Sequence, residues 1–277
     1  MSDIDPVFAS FEQKWLTANP EQAMVGLFVP SAVRLRAAAF GCLVHELSCA
    51  AYGIHEPEVA AAKLAWWAQE LEVAATGHAR HPVTHALFDA AAQSVDRSLW
   101  PALAVGALKQ VEAAPSASLD ELISHREPFY LAIADAESAL FLDGAANIDV
   151  NAALWTLSSL LRSLPQMVDA EGPIPVPLDL LARHGLTRAD LAAPGEKRGA
   201  LIAEHLGALR LEIEGAHGVA SVRTLAQRVR IRADLARIAY ALRAEDALAS
   251  VASSSSPGRL RSLYYAWSEA RAITLGR

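Results

Sequence analysis

The sequence predicts an all-α protein, a single helical domain over residues 1–277, and three observations carry that expectation. Apolar residues recur at intervals of three and four, as in Leu64, Trp67 and Leu71 or in Leu154, Leu157, Leu161 and Leu164, which is the period of a helix with a buried stripe, and no segment reads convincingly as a strand. Leu and Ala dominate while aromatics make up 6% of the chain, so intrinsic propensity favours helix before any pattern is considered. Pro20, Pro30, Pro57, Pro82, Pro128 and Pro177 fall at or just inside the first turns of predicted helices, where a missing N–H costs nothing.

Taken in chain order, helices are expected near 6–18, 20–29 (opened by Pro20), 31–53 (after Pro30), and 57–75, which starts at Pro57 and carries the Leu64 stripe. Others follow near 82–93 (from Pro82), 98–113, 118–124, 128–144 (from Pro128) and 149–165, which carries the Leu154 stripe. Glu171-Gly172-Pro173-Ile174-Pro175-Val176-Pro177 cannot continue a helix, because its prolines lack donors and fix φ, and it reads as an extended strap. Beyond it come helices near 177–184, 187–192, 196–214, 219–246 and 257–273, with the serine run from Ser253 to Pro257 as a mobile loop before the last.

A hydrophobic content of 53% is ample for a sizeable core. The formal charge of −7 argues against a general nucleic-acid binder and against wholesale attraction to anionic lipid. Cys42 and Cys49 lie seven residues apart on one predicted helix, about 10 Å along its axis, too far for an unstrained disulfide, so both are expected as apolar thiols in the core. Met-Ser-Asp-Ile-Asp-Pro at the N-terminus has neither the basic start nor the apolar stretch of a secretory signal, and no run of about 20 apolar residues is present. The expectation is a cytoplasmic protein with no transmembrane segment, compatible with peripheral membrane contact.

Three ordered stretches carry a family resemblance: Leu64-Ala65-Trp66-Trp67-Ala68-Gln69-Glu70-Leu71, His81-Pro82-Val83-Thr84-His85-Ala86-Leu87, and Pro177-Leu178-Asp179-Leu180-Leu181-Ala182-Arg183-His184-Gly185. In order and rough spacing they resemble the squalene/phytoene synthase family, most strongly over residues 20–195. The resemblance implies an isoprenoid synthase bundle around a central, mostly apolar cavity. Active members hold magnesium between two aspartate-rich helical motifs, and magnesium demands hard oxygen ligands.

Aligned on the resemblance, the first motif falls on Ser48, Cys49 and Tyr52, none of them a carboxylate; Glu46, two residues before Ser48, points elsewhere on the helix. The second falls on Ser159-Leu160-Leu161-Arg162-Ser163 and ends at Met167, keeping Arg162 and losing both aspartates. Asp169 and Glu171 would supply oxygens only if the alignment slipped. Pro30 and Arg34 resemble the element before the first motif, whose arginine helps bind diphosphate; Arg34 is equally readable as a solvated charge near a helix start. Ser124-His125-Arg126-Glu127-Pro128-Phe129-Tyr130 resembles a shortened form of a further family segment, and Arg34, Tyr130 and Arg162 are the candidate ligand contacts.

Other constellations read as structural. Trp66 and Trp67 are adjacent and cannot face the same way, so one belongs to the core. His78, His81 and His85 have ligand-like spacing without an intervening Glu, and His184 suits a helix C-terminus. The basic cluster Arg223, Arg228, Arg230, Arg232 and Arg237 is read as a solvated helical face or a protein-docking surface, interrupted by Asp234 and lacking the turn of a helix-turn-helix.

The expected protein therefore has no metal and no cofactor, and binds a lipid or isoprenoid, a partner protein, or both. The alternative is an active prenyltransferase condensing farnesyl or geranylgeranyl diphosphate to a squalene- or phytoene-like product, with magnesium on other carboxylates.

Overall fold

In the computed structural model, which describes residues 6–111, 114–168, 174–253 and 257–276, the chain is helical throughout, with no strand among the described residues. The first helices are α1 (Pro6–Ala18), α2 (Pro20–Val25), α3 (Ser31–Gly53) and α4 (Pro57–Ala74), followed by α5 (Pro82–Leu87), α6 (Ala90–Ser94), α7 (Leu99–Val111), α8 (Leu119–Phe141) and α9 (Ile148–Ser163). A 3-10 turn, Leu164–Val168, extends α9. Then come α10 (Leu178–His184), a 3-10 turn at Ala189–Leu191, α11 (Glu196–Gly218), α12 (Leu225–Ala241), α13 (Ala247–Ala252) and α14 (Arg259–Thr274).

Local chemistry accounts for most boundaries. Pro20, Pro57 and Pro82 occupy the first turns of α2, α4 and α5, and Pro30 and Pro177 immediately precede α3 and α10. Ser118, Asn147, Thr224 and Asp246 each accept a backbone N–H of the first turn that follows, which is the usual N-cap arrangement.

Four expected boundaries change. The expected helix 82–93 is two helices, because the Asp89 carboxylate caps the N–H groups of Ala91 and Ala92 and restarts the chain in a new direction. The two helices expected at 118–124 and 128–144 are one, with Pro128 inside it. A mid-helix proline removes one hydrogen bond, and here burial of Leu122, Phe129, Tyr130 and Ile133 on both sides of it keeps the helix continuous. Gly106 of α7 fits against this point, since a Cβ there would lie 3.0 Å from Phe129 Cα. The expected helix 219–246 starts only at Leu225, where Thr224 caps it, and a separate helix, α13, follows Asp246. The segment 187–192 is a single 3-10 turn. The first part of the proline strap and Ser254–Ser256 lie outside the described residues.

Among the described residues, two large apolar clusters and a small one around Val25, Val229 and Ala266 fill the interior. One large cluster gathers α1, α3, α4, α5, α7 and α8 around Trp67, Trp100, Leu43, Leu47 and Phe129; the other gathers α9 to α13 around Leu160, Leu161, Leu206 and Ile238. Each fully buried Leu or Phe contributes about 1.5–3 kcal/mol relative to exposure. Helix α9 belongs to both, sending Ala152 and Trp155 into the first and Leu154, Leu157 and Leu161 into the second. Its remaining side, which includes Ser159 and Arg162, faces the gap between them.

Trp67 is buried and Trp66 half exposed, as their adjacency requires. His81 accepts the Val83 N–H and packs edge-on against both tryptophans, a structural role. His184 ends α10 and meets Glu204 at 2.8 Å. Cys42 lies in the core, where burial pushes its thiol up to about 12. Cys49 does not: it is exposed, one position off the buried stripe of α3. No helix is long and apolar enough to cross a membrane among the described residues.

Candidate functional site

A cavity of about 330 Å³ opens between α3, α8, α9 and α12, with α1 and α13 at its edges. From α3 come Gly41, His45, Ser48 and Tyr52, spaced by four, three and four, so that one face of the helix lines one wall. From α9 come Trp155, Ser159, Arg162 and Ser163 by the same periodicity. The structure thus brings Ser48, Cys49 and Tyr52 together with Ser159, Arg162 and Ser163 around one space, with Tyr130 beside them on α8. Met167 is placed only by its backbone in the 3-10 turn; its side chain, Asp169 and Glu171 lie outside what the structure describes. Arg34 is elsewhere: exposed near the start of α3, it donates to the Val29 carbonyl at 3.1 Å.

The cavity is lined by four arginines and, among the described residues, by no carboxylate. Arg162 is held internally. Its Nε donates to Asp234 at 3.0 Å, Nη1 to Asn19 at 2.9 Å and Nη2 to Glu21 at 3.0 Å, tying α9 to α2 and α12. Burial opposes its charge, but Asp234 and Glu21 outweigh burial and raise its pKa above the ordinary arginine value. Burial likewise disfavours the Glu21 carboxylate, yet Arg162 and Arg230 bring its pKa below the usual range.

Arg126 joins the two aspartate-motif positions directly. Its Nη1 donates to Ser159 Oγ at 3.0 Å and to Ser163 Oγ at 3.2 Å, and its guanidinium lies 4.5 Å from the Tyr52 ring centroid. Burial, and Tyr130 beside it, push the Tyr52 hydroxyl well above its ordinary pKa, so it stays protonated. Arg230 stacks 4.3 Å from the Trp155 ring and donates to Asn19 at 3.2 Å; burial, with Arg162 adding repulsion, lowers its pKa to about 10. Arg237 is 5% exposed, and its Nε and Nη2 have no hydrogen-bond partner among the described residues.

This corrects the reading of the basic cluster as a solvated or docking face. Arg223, Arg230 and Arg237 are buried, and the last two line the cavity. The signal was present in the spacing: Arg230, Asp234, Arg237 and Ala241 follow one another by four, three and four, the period of a buried stripe. Arg126 lies within the Ser124–Tyr130 stretch, but nothing local in the sequence reveals its role, because its partners are 33 and 37 residues away.

Magnesium does not fit these residues. It binds through carboxylates completed by water and phosphate, whereas the two motif faces present serine hydroxyls, a thiol and a phenol, and two of those hydroxyls already accept from a guanidinium. No group of three His, Cys, Asp or Glu residues that would hold a metal occurs among the described residues.

The squalene/phytoene synthase family model matches residues 18–255. Among solved structures, a dehydrosqualene synthase crystallised with a ligand superposes with a TM-score of 0.71 at 12% identity, covering 98% of each chain. The squalene synthase HpnC from Alicyclobacillus acidocaldarius gives a TM-score of 0.54 at 15% identity, covering 95% of each. At such identities these two likenesses speak to fold alone. Among curated protein sequences, none matches.

Proposed function

We propose, from the premise that this chain belongs to the squalene/phytoene synthase family, that it binds an isoprenoid or other lipid in its cavity and does not condense prenyl diphosphates with magnesium. One observation carries the reading: the positions aligned with the two aspartate motifs do meet at one cavity, and a guanidinium, Arg126, links them where a cation-binding pair of carboxylates would be needed. Family fold is retained while the ligands for the metal are not, and fold alone does not grant activity. On this reading the protein needs no cofactor.

Size supports binding of a single ligand. Small-molecule sites span about 300–1,000 Å³, and a cavity near 330 Å³ lies at the low end, with Tyr52 and Tyr130 on one wall and Phe129 packed against both from the core. A condensing enzyme must hold two prenyl chains. The test is incubation of the purified protein with farnesyl diphosphate and magnesium, following diphosphate release and hydrocarbon product. Neither is expected; product formation sinks the proposal and restores the synthase.

A further inference from the structure

We infer that the cavity is a metal-independent anion site that takes a phosphate- or diphosphate-bearing ligand through Arg126, Arg230 and Arg237, an inference that deepens the binding reading above and rests on it. The argument starts from charge. Four guanidiniums line the space, and among the described residues the acids near them are Glu21 and Asp234, both paired with Arg162, and Glu137 behind Arg230. Among the described residues, four guanidiniums against these three acids leave a positive excess even with every acid ionised. Glu137 is in any case occupied elsewhere, accepting from Trp155 at 2.8 Å and Thr224 at 2.7 Å.

Hydrogen bonding points the same way. A buried N–H without an acceptor is costly, and native structures rarely tolerate several together. Arg230 Nε and Arg237 Nε and Nη2 are buried with no partner among the described residues, on two residues at least nine-tenths buried that line the cavity one above the other on α12. Arg126, from α8, faces them across the space with only hydroxyls as acceptors among the described residues. Donors converging from two helices call for several oxygens on one small group. A phosphoryl group supplies them in the geometry that guanidinium forks recognise, and a monocarboxylate, with two oxygens, supplies fewer. The surrounding rings of Trp15, Tyr52, Tyr130 and Trp155 give the rest of the ligand an apolar wall.

The metal is thereby made unnecessary: fixed side-chain cations stand in for the charge that magnesium would bring. The same head-group chemistry is found on a prenyl lipid and on free inorganic diphosphate, and the experiment separates them. Calorimetric titrations in a phosphate-free buffer containing EDTA would use farnesyl thiolodiphosphate, inorganic pyrophosphate and farnesol, on the unmodified protein and on Arg126→Gln, Arg237→Gln and Arg34→Gln. Circular dichroism melts would confirm that each variant is folded.

The expected result is that the thiolodiphosphate binds without magnesium, at least tenfold more tightly than farnesol, and that Arg237→Gln and Arg126→Gln each weaken it tenfold or more while Arg34→Gln does not. Pyrophosphate binding as tightly as the thiolodiphosphate supports the anion site and overturns its isoprenoid occupant. Farnesol binding as tightly as the thiolodiphosphate overturns the anion site and leaves the lipid-binding proposal standing. Binding that appears only when magnesium replaces EDTA overturns both.

Discussion

The guanidinium of Arg126 sits 4.5 Å from the ring of Tyr52 while donating to Ser159 and Ser163, so that one side chain on α8 touches both helices that would carry a metal site. A cation–π contact of this kind between buried groups is worth about 2 kcal/mol or more. It fixes the guanidinium in the middle of the cavity wall, where its effect on anything placed there is electrostatic.

That geometry bears on any attempt to rebuild the metal site. The quadruple substitution Ser48→Asp, Tyr52→Asp, Ser163→Asp and Met167→Asp is expected to give no magnesium binding by calorimetry, because Arg126 pairs with the new carboxylates. Adding Arg126→Ala to the same protein is expected to produce magnesium binding. Magnesium binding by the quadruple variant alone contradicts this account of Arg126.

Arg237 is held at a cost to stability. Its charge is buried, burial and the repulsion of Arg162 lower its pKa, and two of its nitrogens lack acceptors among the described residues. Replacing such a group with an apolar residue of similar volume is commonly stabilising, so Arg237→Met is predicted to stabilise the ligand-free protein by about 1–3 kcal/mol. Urea denaturation would measure it, and a clear loss of stability argues that Arg237 is satisfied within the fold.

Glu21 presents the opposite case. Fully buried, it answers Arg162 from α2. Removing one partner of a buried pair leaves a charge uncompensated, and Glu21→Ala is expected to cost about 3–5 kcal/mol. Asp234 shares the same guanidinium, so a double-mutant cycle between Glu21 and Asp234 should be non-additive.

Gly41 faces Trp15, and a Cβ placed there would come within 2.5 Å of the ring's Cε2. Overpacking of this kind costs about 1–3 kcal/mol, and Gly41→Ala is expected to lower the unfolding free energy by that amount, read from a shifted urea midpoint, and to alter tryptophan fluorescence. Both residues line the cavity, so ligand affinity should fall with it.

His205 gives the fold a specific acid sensitivity. Burial lowers its pKa to about 4, against 6.5 when unfolded, with the Pro175 carbonyl opposing the shift and Arg126 adding to it. The unfolded chain therefore takes up a proton first as pH falls. The contribution is complete above pH 6.5 and is lost progressively between 6.5 and 4, a span worth about 3 kcal/mol. His205→Leu should flatten the decline in stability over that window relative to the unmodified protein, as followed by urea midpoints at successive pH values.

The sequence by itself determined the helical class, the family resemblance and the absence of carboxylates at Ser48, Tyr52, Ser159 and Ser163, because periodicity, helix-starting prolines and residue identity are local properties. It also placed Trp66 and Trp67 on different faces. Tertiary structure decided what local rules cannot: that α8 runs through Pro128 because packing on both sides holds it, that Arg34 stays at the surface, and that Arg230 and Arg237 turn inward although a charge is ordinarily solvated. Above all, Arg126 meets its two serines across more than thirty residues of chain. The physical reason is that a buried charge is tolerated only through partners supplied by other helices, and which helices those are is a property of their packing.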